Sequence, residues 1–168
     1  MNSMSKHIIR DDCDHGEKFR KESIVALKCG TPGSGTLTLT TVTPATSITV
    51  SSLAVNVDDF EDPTIKLEFA SNIATTAFTG TVNIQVYKLC NNQFQSTPVG
   101  PQFSFAAATA TTEALPVSFF ICDCGTCFND CCTYSVVVTS VLGSAGTITF
   151  TAATLSALIV GNQGHFCH

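Results

Sequence analysis

The stretch Thr64-Ile65-Lys66-Leu67-Glu68-Phe69 alternates polar and apolar side chains without a break, and Thr81-Val82-Asn83-Ile84-Gln85-Val86 repeats the pattern further along the chain. A period of two places Ile65, Leu67 and Phe69 on one face of a strand and Thr64, Lys66 and Glu68 on the other. Such a strand rests one face on a core and turns the other to water. A helix would need a stripe of period 3.6, and no segment of a dozen residues carries one. Outward from these two runs, residues 36–43, 47–57, 102–105, 117–122, 133–141 and 146–160 are alternating or rich in β-branched residues, and the last is long enough for two strands. Residues 23–28 suggest a further short strand. Within residues 47–57 the apolar phase flips from Ile48 and Val50 to Leu53, Val55 and Val57, as a bulge or a change of sheet at Ser51-Ser52 would cause. About eight short strands with turn residues between them, in a chain of 168 residues, predict an all-β fold: an antiparallel β-sandwich of jelly-roll type. An immunoglobulin-like arrangement is the second choice, and it lacks its usual buried tryptophan because the chain has none.

Only 12% of the residues are charged, about half the ordinary share, and more than half of those precede Gly30. This shift predicts a solvated N-terminal connector arm, residues 1–22, ahead of a nearly uncharged sandwich domain, residues 23–168, with Gly and Pro punctuating residues 30–35. A net charge of -5 with eight Lys and Arg cannot form the basic stripe that follows a phosphate backbone, so nucleic acid is not an expected partner. No apolar run approaches the ~20 residues that cross a bilayer, so no membrane partner is expected either. The N-terminus lacks the apolar segment and cleavage site of a secretory signal. All four histidines, His7, His15, His165 and His168, lie near the two ends, away from the strand scaffold that would hold a general base, so the chain reads as no enzyme, with no catalytic residue and no cofactor. The acidic run Asp58, Asp59, Glu61 and Asp62 lacks the ligand spacing and glycine of a calcium loop and reads as a solvated turn.

Nine cysteines are roughly three times the number expected of a cytosolic chain this long, which points to disulfides or metal. Five crowd into one run, Cys122, Cys124, Cys127, Cys131 and Cys132, and the others are Cys13, Cys29, Cys90 and Cys167. A structural zinc site takes two ligand pairs across a longer loop, and the second pair is missing, so metal is the lesser reading. Buried free thiols packed as small hydrophobes would account for one or two cysteines, not for five in a hydrophilic loop. Strand phase places Cys122 with Ser118 and Phe120, opposite Val117, Phe119 and Ile121, hence outside the core. Cys131 and Cys132 must point to opposite faces, and adjacent cysteines do not bond each other without strain. Because nine is odd, an oxidised monomer must leave a thiol or link outward. Cys13 and Cys167, near opposite ends, are either incidental thiols or intermolecular links, and all nine cysteines stand as candidates for such links.

Three segments carry a resemblance: Ile65-Lys66-Leu67-Glu68-Phe69-Ala70-Ser71-Asn72-Ile73, Val86-Tyr87-Lys88-Leu89-Cys90-Asn91-Asn92-Gln93-Phe94, and Phe119-Phe120-Ile121-Cys122-Asp123-Cys124 through Cys131-Cys132-Thr133-Tyr134. On these the chain resembles, over roughly residues 29 to 140, a Cys-rich family of unassigned function from spore-forming clostridia. Its plan, a Cys-bearing arm on a Thr-rich sandwich, is also similar to the subunits of bacterial endospore appendages. That likeness implies a structural subunit that polymerises with itself, head to tail, into a fibre. Bodies would be joined by strand augmentation, and the arm would enter a preceding subunit and form disulfides there. Cys13 would then be the connector thiol, received by Cys29, Cys90 or the cluster. Appendage connectors carry adjacent cysteines whereas this arm has one, so the receiving residue stays open among these. The likeness also implies an extracellular location on the spore surface, reached by mother-cell lysis. Two rivals remain. One is a jelly-roll carbohydrate-binding module, disfavoured by the absence of Trp and the scarcity of Tyr on which sugars stack. The other is a zinc or thiol protein using Cys122 to Cys132.

Overall fold

The computed structural model describes residues 23–42, 44–91, 93–124 and 131–163. The arm, Cys13, Cys127 and Cys167 lie outside them. Eight strands follow in order: β1 (Ser23–Cys29), β2 (Gly33–Leu39), β3 (Ser47–Asn56), β4 (Phe60–Cys90), β5 (Thr97–Thr111), β6 (Ala114–Asp123), β7 (Cys131–Ser140) and β8 (Ala145–Gln163). Among the described residues there is no helix, and so none long and apolar enough to cross a membrane.

The pairing is nested, as if one long antiparallel hairpin had been rolled up. β2 pairs with β8, β3 with β7, the first half of β4 with β6, and its second half with β5. β4 then joins β8 on one side and β7 on the other. The result is two four-stranded layers, β2-β8-β4-β6 and β3-β7-β4-β5, which is the jelly roll. β1 extends the edge begun by β2 along the far half of β8. The alternation read from sequence holds on both halves of β4: Ile65, Leu67, Phe69, Val82, Ile84 and Val86 are all buried, each contributing roughly 1.5–3 kcal/mol of transfer free energy.

β4 passes from one layer to the other near Ala77 and Gly80. Ala77 adopts a left-handed φ of 47° and Gly80 one of 112°. A Cβ on Gly80 would stand 2.6 Å from Ser144 Cα, and one on Gly146 would stand 2.2 Å from the Ala77 carbonyl oxygen. The corner closes because these two residues have no side chain. Residues 146–160, long enough for two strands, form a single bent strand, β8, whose irregularity lies at Ala152 (φ 51°). In β3 the phase flip comes from a bulge between Thr49 and Ser51. It turns Val50 and Ser51 both inward, and Ser51 Oγ is buried with no hydrogen-bond partner.

Candidate functional site: surface thiols and the buried pair beneath them

At the end of the sandwich where the cysteine run leaves β6 and enters β7, the inward phase carries residues that are not apolar. On β4 they are Lys88 and Cys90, and on β7 they are Cys132 and Tyr134, with Lys88 opposite Tyr134 and Cys90 opposite Cys132. Cys90 and Cys132 face each other across a Cα–Cα distance of 4.0 Å and are bonded. Both stood among the candidates for links to a neighbour. The structure spends them within the chain, because directly opposed inward residues on adjacent strands meet side by side. Lys88 Nζ lies 2.8 Å from Asp123 Oδ2, and Tyr134 Oη donates to the same oxygen at 2.8 Å. All three residues are buried. Asp123 ends β6 in one layer while Lys88 and Tyr134 belong to the other, so the ion pair ties the two layers together where β6 ends. A buried charge persists only when it is paired and hydrogen-bonded in this way. This pair escaped the sequence reading, yet a signal existed: Lys88 continues the inward phase of Val82, Ile84 and Val86, and Asp123 that of Phe119 and Ile121. A charge in an inward slot demands a counter-charge in another.

The outer face of the β1-β8-β4-β6 layer is different. Cys29, at the end of β1, and Cys122, on β6, are exposed and unbonded, as is Cys124 just past β6, while Cys131, on β7 of the other layer, is half-buried and unbonded. Cys122 sits opposite Lys66, whose ammonium lies 5.0 Å from the Phe120 ring centroid and pairs with Glu68. The same face exposes Val25 and Leu27 of β1, Leu158 and Val160 of β8, and Phe120 of β6. A groove of about 420 Å³ runs along it past Glu68, Ser118, Phe120 and Ser156. Among the described residues no three His, Cys, Asp or Glu side chains converge as a metal site would require. Chemically the face offers thiols, apolar contacts and the open edges of a sheet.

No curated protein matches the chain. Solved structures to which the chain is similar include that of infectious bursal disease virus Gx strain, with a TM-score of 0.49 and 14% identity over 86% of this chain and 33% of that one. The VP2 subviral particle of the same virus gives 0.46 and 13%, over 98% of this chain and 39% of that one. The Eiger TNF structure from S. frugiperda gives 0.39 and 9%, over 82% and 98%. The chain thus spans between a third and two fifths of the two viral proteins. Its sequence matches, over residues 23–160, from β1 to within β8, the family described as domain of unknown function DUF4489, and the chain belongs to that family.

Proposed function

We propose that this protein is a structural subunit of a self-assembling fibre, cross-linked by disulfides, on the surface of the bacterial endospore. One observation carries the reading: exposed, unbonded thiols, Cys29 and Cys122, share one sheet face with a row of exposed apolar side chains. An isolated soluble domain gains nothing from that combination, whereas apolar contact followed by thiol oxidation makes an assembly that resists heat and detergent. Head-to-tail contacts that do not close give filaments rather than rings. The likeness of the whole plan to endospore appendage subunits supports the fibre, and release by mother-cell lysis would bring it to an oxidising exterior.

The arm supplies the second contact. Extended, its 22 residues reach ~70 Å, enough to cross one sandwich and enter another subunit, where Cys13 would lock the joint. Negative-stain microscopy of the purified protein, with and without reductant, is the test. Filaments are expected. Removal of residues 1–22 is expected to abolish or shorten them, and Cys13→Ser to leave filaments that fall apart in hot detergent. A monomer under oxidising conditions at high concentration would refute the proposal.

A further inference from the structure

We infer that strand β6 of one copy of this chain pairs with the β1–β2 edge of the next, and that Cys122 and Cys29 form a disulfide across that junction. The inference rests on the fibre reading and names the surfaces it would use. Among the described residues, β6 pairs only with β4, and β1 and β2 only with β8, so these are the two open edges of one layer. β1 and β2 meet β8 in one register, interrupted only near Gly33–Gly35. Together they make an edge over residues 23–39, longer than the ten residues of β6.

Polarity, face and length agree. Each neighbouring pair in β1-β8-β4-β6 is antiparallel, so across four strands the first and last run in opposite directions. A copy displaced sideways without turning over therefore presents an antiparallel partner to the open edge. Cys29 and Cys122 both point outward from the same face, and sideways displacement keeps them there. With Cys122 opposite Cys29 of the next copy, all of β6 lies against residues 28–37. Gly30 donates its amide hydrogen to the Leu155 carbonyl at 2.9 Å. Since backbone polar groups alternate along a strand, Cys29 turns its own N–H and C=O to the open edge. Directly opposed antiparallel residues stand about 4.5–5.5 Å apart at Cα, within the range that a disulfide spans. The chain already uses such a link in Cys90–Cys132, two directly opposed residues on adjacent strands.

The register also sets a stagger. Within one copy, Leu27, Leu158, Lys66 and Cys122 form a single row across the layer, and Cys29 lies two residues further along β1. Each added copy would then step about 19 Å across the strands and about 7 Å along them, from the ~4.8 Å strand spacing and ~3.3 Å rise. Repeated without closing, such a step builds a filament. Within one chain the two thiols are three strand spacings apart, about 14 Å, too far to bond each other. The oxidant is a small-molecule disulfide. One thiol displaces half of it to give a mixed disulfide and one free small thiol. The second protein thiol then attacks the mixed disulfide, releasing the other small thiol and leaving the Cys29–Cys122 bond.

The test is assembly of an equal mixture of unlabelled and nitrogen-15-labelled full-length protein in oxidised glutathione, followed by non-reducing digestion and mass spectrometry. The expected product is a Cys29–Cys122 linked peptide pair in which half of the molecules carry one labelled and one unlabelled partner. Cys29→Ser and Cys122→Ser should each remove it. Filaments in which Cys29 and Cys122 remain open to alkylation would overturn the edge pairing and leave the fibre reading intact. A linked pair that is never mixed-label would overturn it as well, and absence of filaments under any condition would remove both.

Discussion

Asp123→Leu removes the carboxylate that faces Lys88 and Tyr134 while keeping the branching of the side chain. Lys88 is 8% exposed and Asp123 is 8% exposed, so neither water nor salt can replace the lost partner effectively. Breaking a buried pair from one side costs about 3–5 kcal/mol. For a chain of this length each kcal/mol moves Tm by about 2–4 °C, so the midpoint should fall by roughly 6–20 °C. Lys88→Met should cost less, because the carboxylate still accepts from Tyr134 at 2.8 Å. The double variant, Lys88→Met with Asp123→Leu, replaces the pair by apolar groups, an exchange that is often neutral or stabilising. It should recover most of the loss, giving a coupling energy of about 3 kcal/mol. Calorimetry and urea titration, with Cys90–Cys132 kept oxidised throughout, measure all three variants. A cost below about 1 kcal/mol for Asp123→Leu, the size of a surface ion pair, or simple additivity in the double variant, would refute the view that this pair holds the two layers together.

The Cys90–Cys132 bond spans a sequence separation of 42, for which loop-closure entropy gives a stabilisation of about 4 kcal/mol. Cys90→Ala with Cys132→Ala should lower the denaturation midpoint accordingly and make it insensitive to reductant. Phe69→Asp should unfold the domain by circular dichroism, since Phe69 is 2% exposed, whereas Thr64→Asp on the outer face should leave it folded. Gly146→Ala should destabilise by more than Gly143→Ala in urea titrations. Both residues have positive φ, but only at Gly146 would the new Cβ meet a carbonyl oxygen, at 2.2 Å. Equal losses would mean that backbone strain alone is being measured.

The inward faces of this protein are written in its sequence. Alternation named Ile65, Leu67 and Phe69, then Val82, Ile84 and Val86, as core, and the change of phase between Val50 and Leu53 left a bulge or a change of sheet at Ser51-Ser52, of which the structure has the bulge, between Thr49 and Ser51. Cys122 could be placed outside the core from its neighbours alone. These are local properties: the pleat turns each side chain opposite to the one before it, so the face of a residue follows from residues beside it in the chain. Partners are not local. Residues 70–80 separate the two alternating runs, yet β4 runs through them into the other layer, because Ala77 and Gly80 bend it, Gly80 making room for Ser144 and Gly146 for the Ala77 carbonyl. Nothing beside Cys90 or Lys88 in the chain names Cys132 or Asp123. Those pairs exist because nested pairing brings the ends of β4, β6 and β7 together, and only the closure of the whole roll decides which inward residues meet.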